Sequence, residues 1–153
     1  MQKFVELIGT MSLCYLSALI HITIGSFNTS QVAGYVGISN IFLLALFIYA
    51  LSPSSGGHVN PLITFATITA ALTGFSRGFL YIVCQTLGAA IGGGLIRGSF
   101  GEELTKQYVM PVTSSCQGLT DTRYGGGGCY FEQSAISDGQ MFLIEAISSF
   151  ILL

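Results

Sequence analysis

The stretch SGGHVNPL, residues 55–62, decides the fold of this chain because it places a helix start inside an apolar sequence. Asparagine is among the best N-cap residues, and proline is favoured at the first helical position, where its missing N–H would be unpaired anyway. Asn60 and Pro61 therefore predict the start of a helix. An asparagine-proline pair alone is more often a loop turn, so the apolar setting is what favours the helix.

The composition around this stretch indicates a membrane protein. No Lys, Arg, Asp or Glu occurs from residue 7 to residue 76, and the 153-residue chain is 51% hydrophobic and 8% charged. Such values are typical of integral membrane proteins. This composition predicts membrane lipids as partners. The net charge of −2 and the lack of a basic cluster give no electrostatic footprint for nucleic acid or for anionic lipid headgroups, so nucleic acid is not predicted as a partner.

The apolar runs divide the chain into spans and connections. A helix needs about 20 apolar residues to cross the hydrocarbon. Spans are predicted at residues 4–26, 34–52, 78–98 and 140–153, the last of them cut off. Residues 99–138 hold most of the acidic side chains and are predicted to form an outer loop. Residues 53–76 are uncharged, and their apolar run has about half the spanning length, which predicts a loop that enters the membrane and returns.

The predicted half-helix would bring polar groups to the centre of the membrane. A helix from residue 61 to about residue 73 covers roughly half of a ~30 Å hydrocarbon core. Its amino end carries about half a positive charge, which repels cations. The Asn60 amide can donate to a solute, and Gly56, Gly57, His58 and Val59 can present a row of carbonyl acceptors. A wet passage for small uncharged solutes is therefore predicted.

Several further residues fall at suitable intervals around this stretch. They are Glu6, Gly9 and Thr10 in the first span, Gln85, Gly88 and Ala89 in the third, and Glu145 in the fourth. Together with residues 55–61 they resemble the amino-terminal half of a major intrinsic protein, the family of aquaporins and aquaglyceroporins. The resemblance implies an all-α membrane fold: an aquaporin-like half with three full transmembrane helices, one re-entrant half-helix and a truncated fourth span.

Two departures point within the family to one subfamily. Leu62 replaces the usual alanine after Asn-Pro, and the outer loop ends in GGGC at residues 126–129. Both resemble the X intrinsic protein subfamily of plants and fungi, which implies solutes such as glycerol, urea, hydrogen peroxide and boric acid. The resemblance also assigns Asn40 to the pore constriction, where it would leave the pore wider and more polar than an aromatic residue.

The family pore needs two half-helices that meet from opposite sides as inverted repeats, and this chain supplies one. We therefore expect a fragment of a longer protein, a degraded gene product, or a half that pairs with another chain. In a complete channel the resemblance implies water and small uncharged solutes as the substrates, a tetramer, and the plasma membrane. The alternative is a truncated, non-conducting subunit that associates with full-length relatives.

Single polar residues in the spans have competing interpretations. An ionisable group in an apolar span needs a partner or water. The resemblance implies that Glu6 and Glu145 brace re-entrant loops; the alternative for these two glutamates is a proton relay or a metal pair. It also implies that Pro61 and Gln85 are structural. His58 is either a neutral loop-packing residue or a pH-dependent gate. No function is assigned to His21.

The spacing of the four cysteines does not indicate a metal site. Cys14 and Cys84 lie in spans, whereas Cys116 and Cys129 lie in the predicted outer loop, where they are candidates for a disulfide with each other or, through Cys129, between subunits. No Cys-x-x-Cys pair occurs, and no nucleophile, base and oxyanion donor are grouped. No metal, cofactor or enzymatic activity is predicted.

Overall fold

A computed structural model describes residues 1–26, 31–108 and 137–152. These parts of the chain are helical and contain no β-strand. The helices are α1 (Gln2–Gly25), α2 (Val32–Ser55), α3 (Pro61–Thr69), α4 (Phe75–Tyr108) and α5 (Asp138–Leu152).

Three of the helices contain segments long and apolar enough to cross a membrane. These segments are Gln2–Gly25 with 24 residues, Gly34–Ser55 with 22 and Phe75–Gly101 with 27. At about 1.5 Å per residue each exceeds the ~30 Å hydrocarbon thickness. The predicted all-α membrane fold, with three long spans and a short helix between the second and third, is confirmed.

Helix α1 is the centre of the packing. It contacts α4 most extensively and α2 next, while α3 packs on α4. Glycines allow the close approach of α1 and α4: a Cβ atom at Gly92 would lie 2.6 Å from the Met11 carbonyl oxygen, and one at Gly88 would meet the Leu7 carbonyl oxygen. Small residues at such contacts are typical of helix association in lipid.

The apolar surface of these helices is largely exposed, and α2 is the least buried of the three. A small cluster of buried side chains at the α1–α4 contact consists of Ala18, Ile22 and Ile96, covered by Tyr15, Leu19 and Phe100. Lipid or further protein therefore has to cover the rest of the apolar surface.

Helix α2 ends later than the apolar pattern indicates. We expected a connection from Pro53, but the helix continues to Ser55 with Pro53 inside its last turn. A proline inside a helix removes one N–H bond and crowds the carbonyl of the residue four positions earlier, so Pro53 weakens the helix at this turn, three residues before the C-cap Gly56. Gly56 then terminates α2 with φ of 99°, and its N–H donates to the Ser52 carbonyl oxygen at 3.1 Å.

Helix α3 is shorter than expected, since it stops at Thr69 and not near residue 73. The amides of Leu72 and Thr73 both donate to the Thr67 carbonyl oxygen, at 2.9 and 3.0 Å, while Ala71 has φ of 58°. These bonds turn the chain back towards α4. The β-branched residues at the end of α3 are weak helix formers, which favours this early stop.

Helix α4 exceeds the predicted third span at both ends and includes residues that we expected in the outer loop. It runs from Phe75 to Tyr108, interrupted at Gly101, where φ is 76°. Residues 102–108 are rich in Glu, Leu, Lys and Gln, which are good helix formers, so their polarity does not favour a loop. The remainder of that expected loop up to residue 136 lies outside the described residues.

Candidate functional site

Glu6, on α1, organises a buried polar cluster. Its side chain is 0% exposed. Oε1 accepts hydrogen bonds from Ser55 Oγ at 2.5 Å and from the His58 amide at 3.2 Å. Oε2 accepts from the Val59 amide and from Gln85 Nε2, both at 2.8 Å. All four partners are donors, which suits a carboxylate, because its oxygens act only as acceptors when ionised.

The re-entrant segment, defined here as residues 56–59, turns its N–H groups inward. The first two donate to the Ser52 carbonyl oxygen at 3.1 Å and to the Ser55 hydroxyl at 3.3 Å, and the last two donate to Glu6. None of the hydrogen bonds found among the described residues ends on the four carbonyl oxygens of the segment. The segment therefore has its donors engaged and its acceptors free for another molecule.

The backbone of this segment adopts conformations that favour glycine. The φ angles are 99° at Gly56, 64° at Gly57 and 38° at Val59. A Cβ atom at Gly57 would lie 2.8 Å from the Ile48 carbonyl oxygen, so position 57 has no room for a side chain. A β-branched residue such as Val59 rarely adopts a positive φ. Its burial and its bond to Glu6 hold it there.

Asn60 is the N-cap of α3. Its backbone is extended, with φ of −150°, and Oδ1 accepts a hydrogen bond from the Leu62 amide at 2.9 Å. Pro61 is the first helical residue, and the Thr64 amide donates to the Asn60 carbonyl oxygen at 3.1 Å. The positive end of the α3 dipole therefore lies beside the re-entrant segment, with the Asn60 amide nitrogen available as a donor.

Thr64 and Gln85 connect this helix start to the rest of the cluster. Both side chains are 0% exposed. Gln85 Nε2 donates to Glu6 Oε2 and to Thr64 Oγ1, at 2.8 and 2.9 Å, and Thr64 Oγ1 lies 3.0 Å from the Asn60 carbonyl oxygen. One network therefore joins α1, α3 and α4 around the re-entrant segment. Buried polar groups that are fully hydrogen-bonded in this way specify a single arrangement.

The His58 side chain is packed against protein. Its Nδ1 lies 3.1 Å from Thr64 Oγ1, and its ring meets the Tyr81 ring edge-on, with centroids 5.6 Å apart and an angle of 78° between the planes. The Tyr81 hydroxyl in turn donates to the Ser55 carbonyl oxygen at 3.1 Å. These contacts favour the loop-packing interpretation of His58 over the gate.

Asn40 lies between α1 and α2. Its Oδ1 accepts a hydrogen bond from Ser17 Oγ at 2.6 Å, and its Nδ2 donates to the Val36 carbonyl oxygen at 2.9 Å. The side chain is half-buried. Asn40 therefore links two helices, and its assignment to the pore constriction stays a prediction.

Three predicted site residues cannot be placed in this cluster. Glu145 lies on α5, but the position of its side chain is outside the described residues, as are Cys116 and Cys129. Cys14 and Cys84 are free thiols. In the described parts of the chain no three His, Cys, Asp or Glu side chains come together as metal ligands would.

Sequence reasoning missed the parts played by Ser55, Thr64 and Tyr81. A signal was present for two of them. Thr64 lies four residues after Asn60, one helical turn along α3, and Tyr81 lies four residues before Gln85 on the same face of α4. Ser55 bonds to Glu6 across 49 residues, and no local pattern shows that contact.

Comparisons with known proteins assign the chain to a family. The profile of the family "Major intrinsic protein" matches residues 1–153, so the chain belongs to the major intrinsic protein family. Together with the three long apolar helices, this membership makes the chain an integral membrane protein. No solved structure matches it.

Curated relatives include plant aquaporins. "Aquaporin PIP2-5" of Zea mays is 32% identical over 121 residues, which cover 78% of this chain and 36% of the relative. "Probable aquaporin PIP2-6" and "Probable aquaporin PIP2-2" of Oryza sativa subsp. japonica are 27% and 29% identical over 96% of this chain and 48% and 49% of their own lengths. The chain thus spans about half, or less, of these relatives. Their PIP names give no support to the X intrinsic protein subfamily.

Proposed function

We propose that this chain supplies one half of a channel that conducts water and small uncharged solutes passively across a membrane. The observation that carries the proposal is the polarity of the re-entrant segment. Its N–H groups are engaged by Glu6, Ser52 and Ser55, while its carbonyl oxygens are engaged by none of the described residues. Such carbonyls can replace the water around a passing solute.

The start of α3 supports a preference for uncharged solutes. The Asn60 carbonyl oxygen and Oδ1 are both used inside the helix start, so the amide N–H groups remain as donors beside the row of carbonyl acceptors. The aligned peptide dipoles add positive charge at this end, which repels cations. A molecule with both donor and acceptor groups, such as water, glycerol, urea or hydrogen peroxide, matches this pair of surfaces.

Membership of a channel family also supports the proposal and gives no reason to expect enzymatic chemistry. The tetramer, the plasma membrane and the multi-pass arrangement are further parts of the proposal that rest on the sequence resemblance. The half-channel would be completed by a second half-helix from the opposite side, as in inverted-repeat transport proteins.

The alternative, a non-conducting subunit that associates with full-length relatives, is favoured by one observation. Helix α2 presents an apolar surface that is almost entirely exposed in the described part of the chain. Lipid or another protein could cover it. Co-purification with a complete relative in the absence of any flux would support this alternative.

Liposome flux tests the proposal. The purified chain is reconstituted alone and together with the second half of an aquaporin, and water, glycerol and peroxide fluxes are compared with those of empty vesicles. We expect flux above the empty-vesicle value when the second half is present. Background flux in both arrangements would reject the channel proposal.

Asn60→Asp then tests whether Asn60 contacts the solute. Aspartate caps a helix as well as asparagine does, so the bond from the Leu62 amide at 2.9 Å is kept. The charge and the loss of the amide donors should lower glycerol flux about tenfold, which corresponds to about 1.4 kcal/mol of added barrier. Asn60→Ser, an uncharged cap, is the control and should reduce flux less. Equal flux in the aspartate variant and the wild type would count against Asn60 as a solute contact.

A further inference from the structure

Four polar residues form a stripe along one face of α1. They are Glu6, Thr10, Ser17 and His21. At about 100° per residue, the last three lie about 40°, 20° and 60° from Glu6 around the helix axis. Polar side chains in a membrane span turn towards protein or a water-filled cavity, because lipid cannot satisfy them. The stripe therefore marks the face of α1 that is turned away from lipid.

The amino-terminal part of the stripe shows what this face meets. Glu6 bonds directly to the re-entrant segment. Thr10, one turn further along, is 4% exposed, and its hydroxyl has no hydrogen-bond partner among the described residues. Buried hydroxyls without a protein partner are usually satisfied by water. This face of α1 therefore lies against the re-entrant segment at Glu6 and carries, one turn further on, a hydroxyl that the described part of the chain leaves unpartnered.

Near the other end of α1, the stripe is anchored to α2. The Ser17 hydroxyl donates to Asn40 Oδ1 at 2.6 Å, and Asn40 Nδ2 donates to the Val36 carbonyl oxygen at 2.9 Å. The His21 ring folds back on the same turn, with Nδ1 2.7 Å from the Ser17 carbonyl oxygen. Its orientation is therefore fixed by the backbone of α1.

The partner of Nδ1 also determines which ring nitrogen carries the proton. A carbonyl oxygen can only accept, so Nδ1 must be the donor. In a neutral imidazole the other nitrogen, Nε2, is then an acceptor. The side chain is half-buried, and no hydrogen bond to Nε2 is found within residues 1–26, 31–108 and 137–152. His21 thus holds a fixed acceptor that the described protein does not use.

We propose that His21 is a specificity-determining residue of the channel, whose Nε2 accepts a hydrogen bond from the permeating solute. This inference rests on the proposed channel function. His21 lies 15 residues from Glu6, or about 22 Å along the helix, and four residues before the end of α1. A solute therefore meets two polar sites. The first is the re-entrant segment with Asn60, and the second, nearer the far end of the span, is His21 with Ser17 and Asn40.

As a hydrogen-bond acceptor, Nε2 favours solutes that are larger than water and carry several O–H or N–H groups. Glycerol and urea lose several hydrogen bonds to water on entering a narrow passage, and an acceptor at each polar site replaces some of these hydrogen bonds. Water loses fewer. His21 should therefore raise the ratio of glycerol to water flux.

The experiment compares that ratio in the liposomes that carry the chain with the second channel half. His21→Leu removes the acceptor, and His21→Gln keeps a polar group near the position of Nε2. Thr23→Leu is the matched control, since Thr23 is an exposed polar residue on a different face of α1. We expect the ratio to fall about fivefold in His21→Leu, the effect of one neutral hydrogen bond, and to stay within about twofold in the other two variants.

A second measurement does not depend on the folding of a variant. The ring ¹⁵N signals of His21 in wild-type liposomes report which nitrogen is protonated, and we expect a protonated Nδ1 and a bare Nε2 that shifts when glycerol is added. A protonated Nε2, or a Nε2 signal that glycerol leaves unchanged, overturns the assignment.

The outcomes separate this inference from the proposed function. Normal wild-type flux with equal ratios in all variants overturns the role of His21 and leaves the channel intact. Absence of wild-type flux rejects the channel proposal and the role of His21 with it.

Discussion

The two ends of α1 use polar side chains in opposite ways. At Glu6 every carboxylate contact is a donor from the same chain, and the side chain is fully buried. At His21 one ring nitrogen is fixed on the backbone, and the other has no partner among the described residues. A saturated polar group in a membrane span holds structure, whereas a fixed group with an unused atom can serve a ligand. The difference predicts stability effects at the first site and smaller ones at the second.

The largest effect is expected from Gly57→Ala in the re-entrant segment. Position 57 has φ of 64°, and a Cβ atom there would lie 2.8 Å from the Ile48 carbonyl oxygen. Left-handed strain and overpacking together should lower the free energy of unfolding by about 2–5 kcal/mol. The measurement is the thermal unfolding midpoint in detergent micelles.

The control for this prediction is Gly93→Ala on α4, where an added Cβ atom meets nothing within 4 Å. Removing a glycine from a helix should leave the midpoint unchanged or raise it slightly. Equal midpoints for the two alanine variants would show that the re-entrant segment is not held against α2 as described.

A smaller loss is expected from Glu6→Gln. The amide nitrogen would replace one carboxylate oxygen and place a donor against the amides of the re-entrant segment or against Gln85 Nε2, all of which are donors. An unsatisfied buried donor costs about 1–3 kcal/mol. The unfolding midpoint should therefore fall, with a smaller effect on solute selectivity.

Lys3→Gln provides the comparison, because Lys3 is an exposed charge on the same helix. It should change the midpoint little. If Glu6→Gln kept the wild-type midpoint but altered the ratio of solute fluxes, Glu6 would belong with the solute contacts and the contrast between the two ends of α1 would be lost.

The smallest effect is expected from Ser17→Ala, which removes the 2.6 Å bond to Asn40 between α1 and α2. Hydrogen bonds between membrane helices contribute about 0.6 kcal/mol on average. Ser12→Ala makes the same change at a position about 140° from Ser17 around the axis of α1 and is the matched control. The free energies of unfolding of the two variants, compared through their thermal midpoints, should differ by that small amount. A loss of stability in Ser17→Ala as large as that in Gly57→Ala would mean that this end of α1 is also primarily structural.

Much of the fold could be predicted from the sequence because membrane constraints act on local patterns. The length of the apolar runs indicates the spans, and Asn60 with Pro61 indicates the start of α3. Boundaries were less predictable. Pro53 lies inside the last turn of α2, and residues 102–108 are helical beyond the break at Gly101 although their polarity indicated a loop. At residues 102–108 helix propensity outweighs polarity. At Pro53 the helix runs past a residue that local propensity disfavours.

The sequence by itself determined which groups have to be polar and where helices begin, since a buried cap and a charge-free span are local features. Only the tertiary structure decided which polar atoms are used. Ser55, Gln85 and Glu6 come together across 49 and 79 residues, and Asn40 meets Ser17 on a neighbouring helix. The reason is that a hydrogen bond is directional and short, so its partner is set by how the helices pack and not by their separation in the chain.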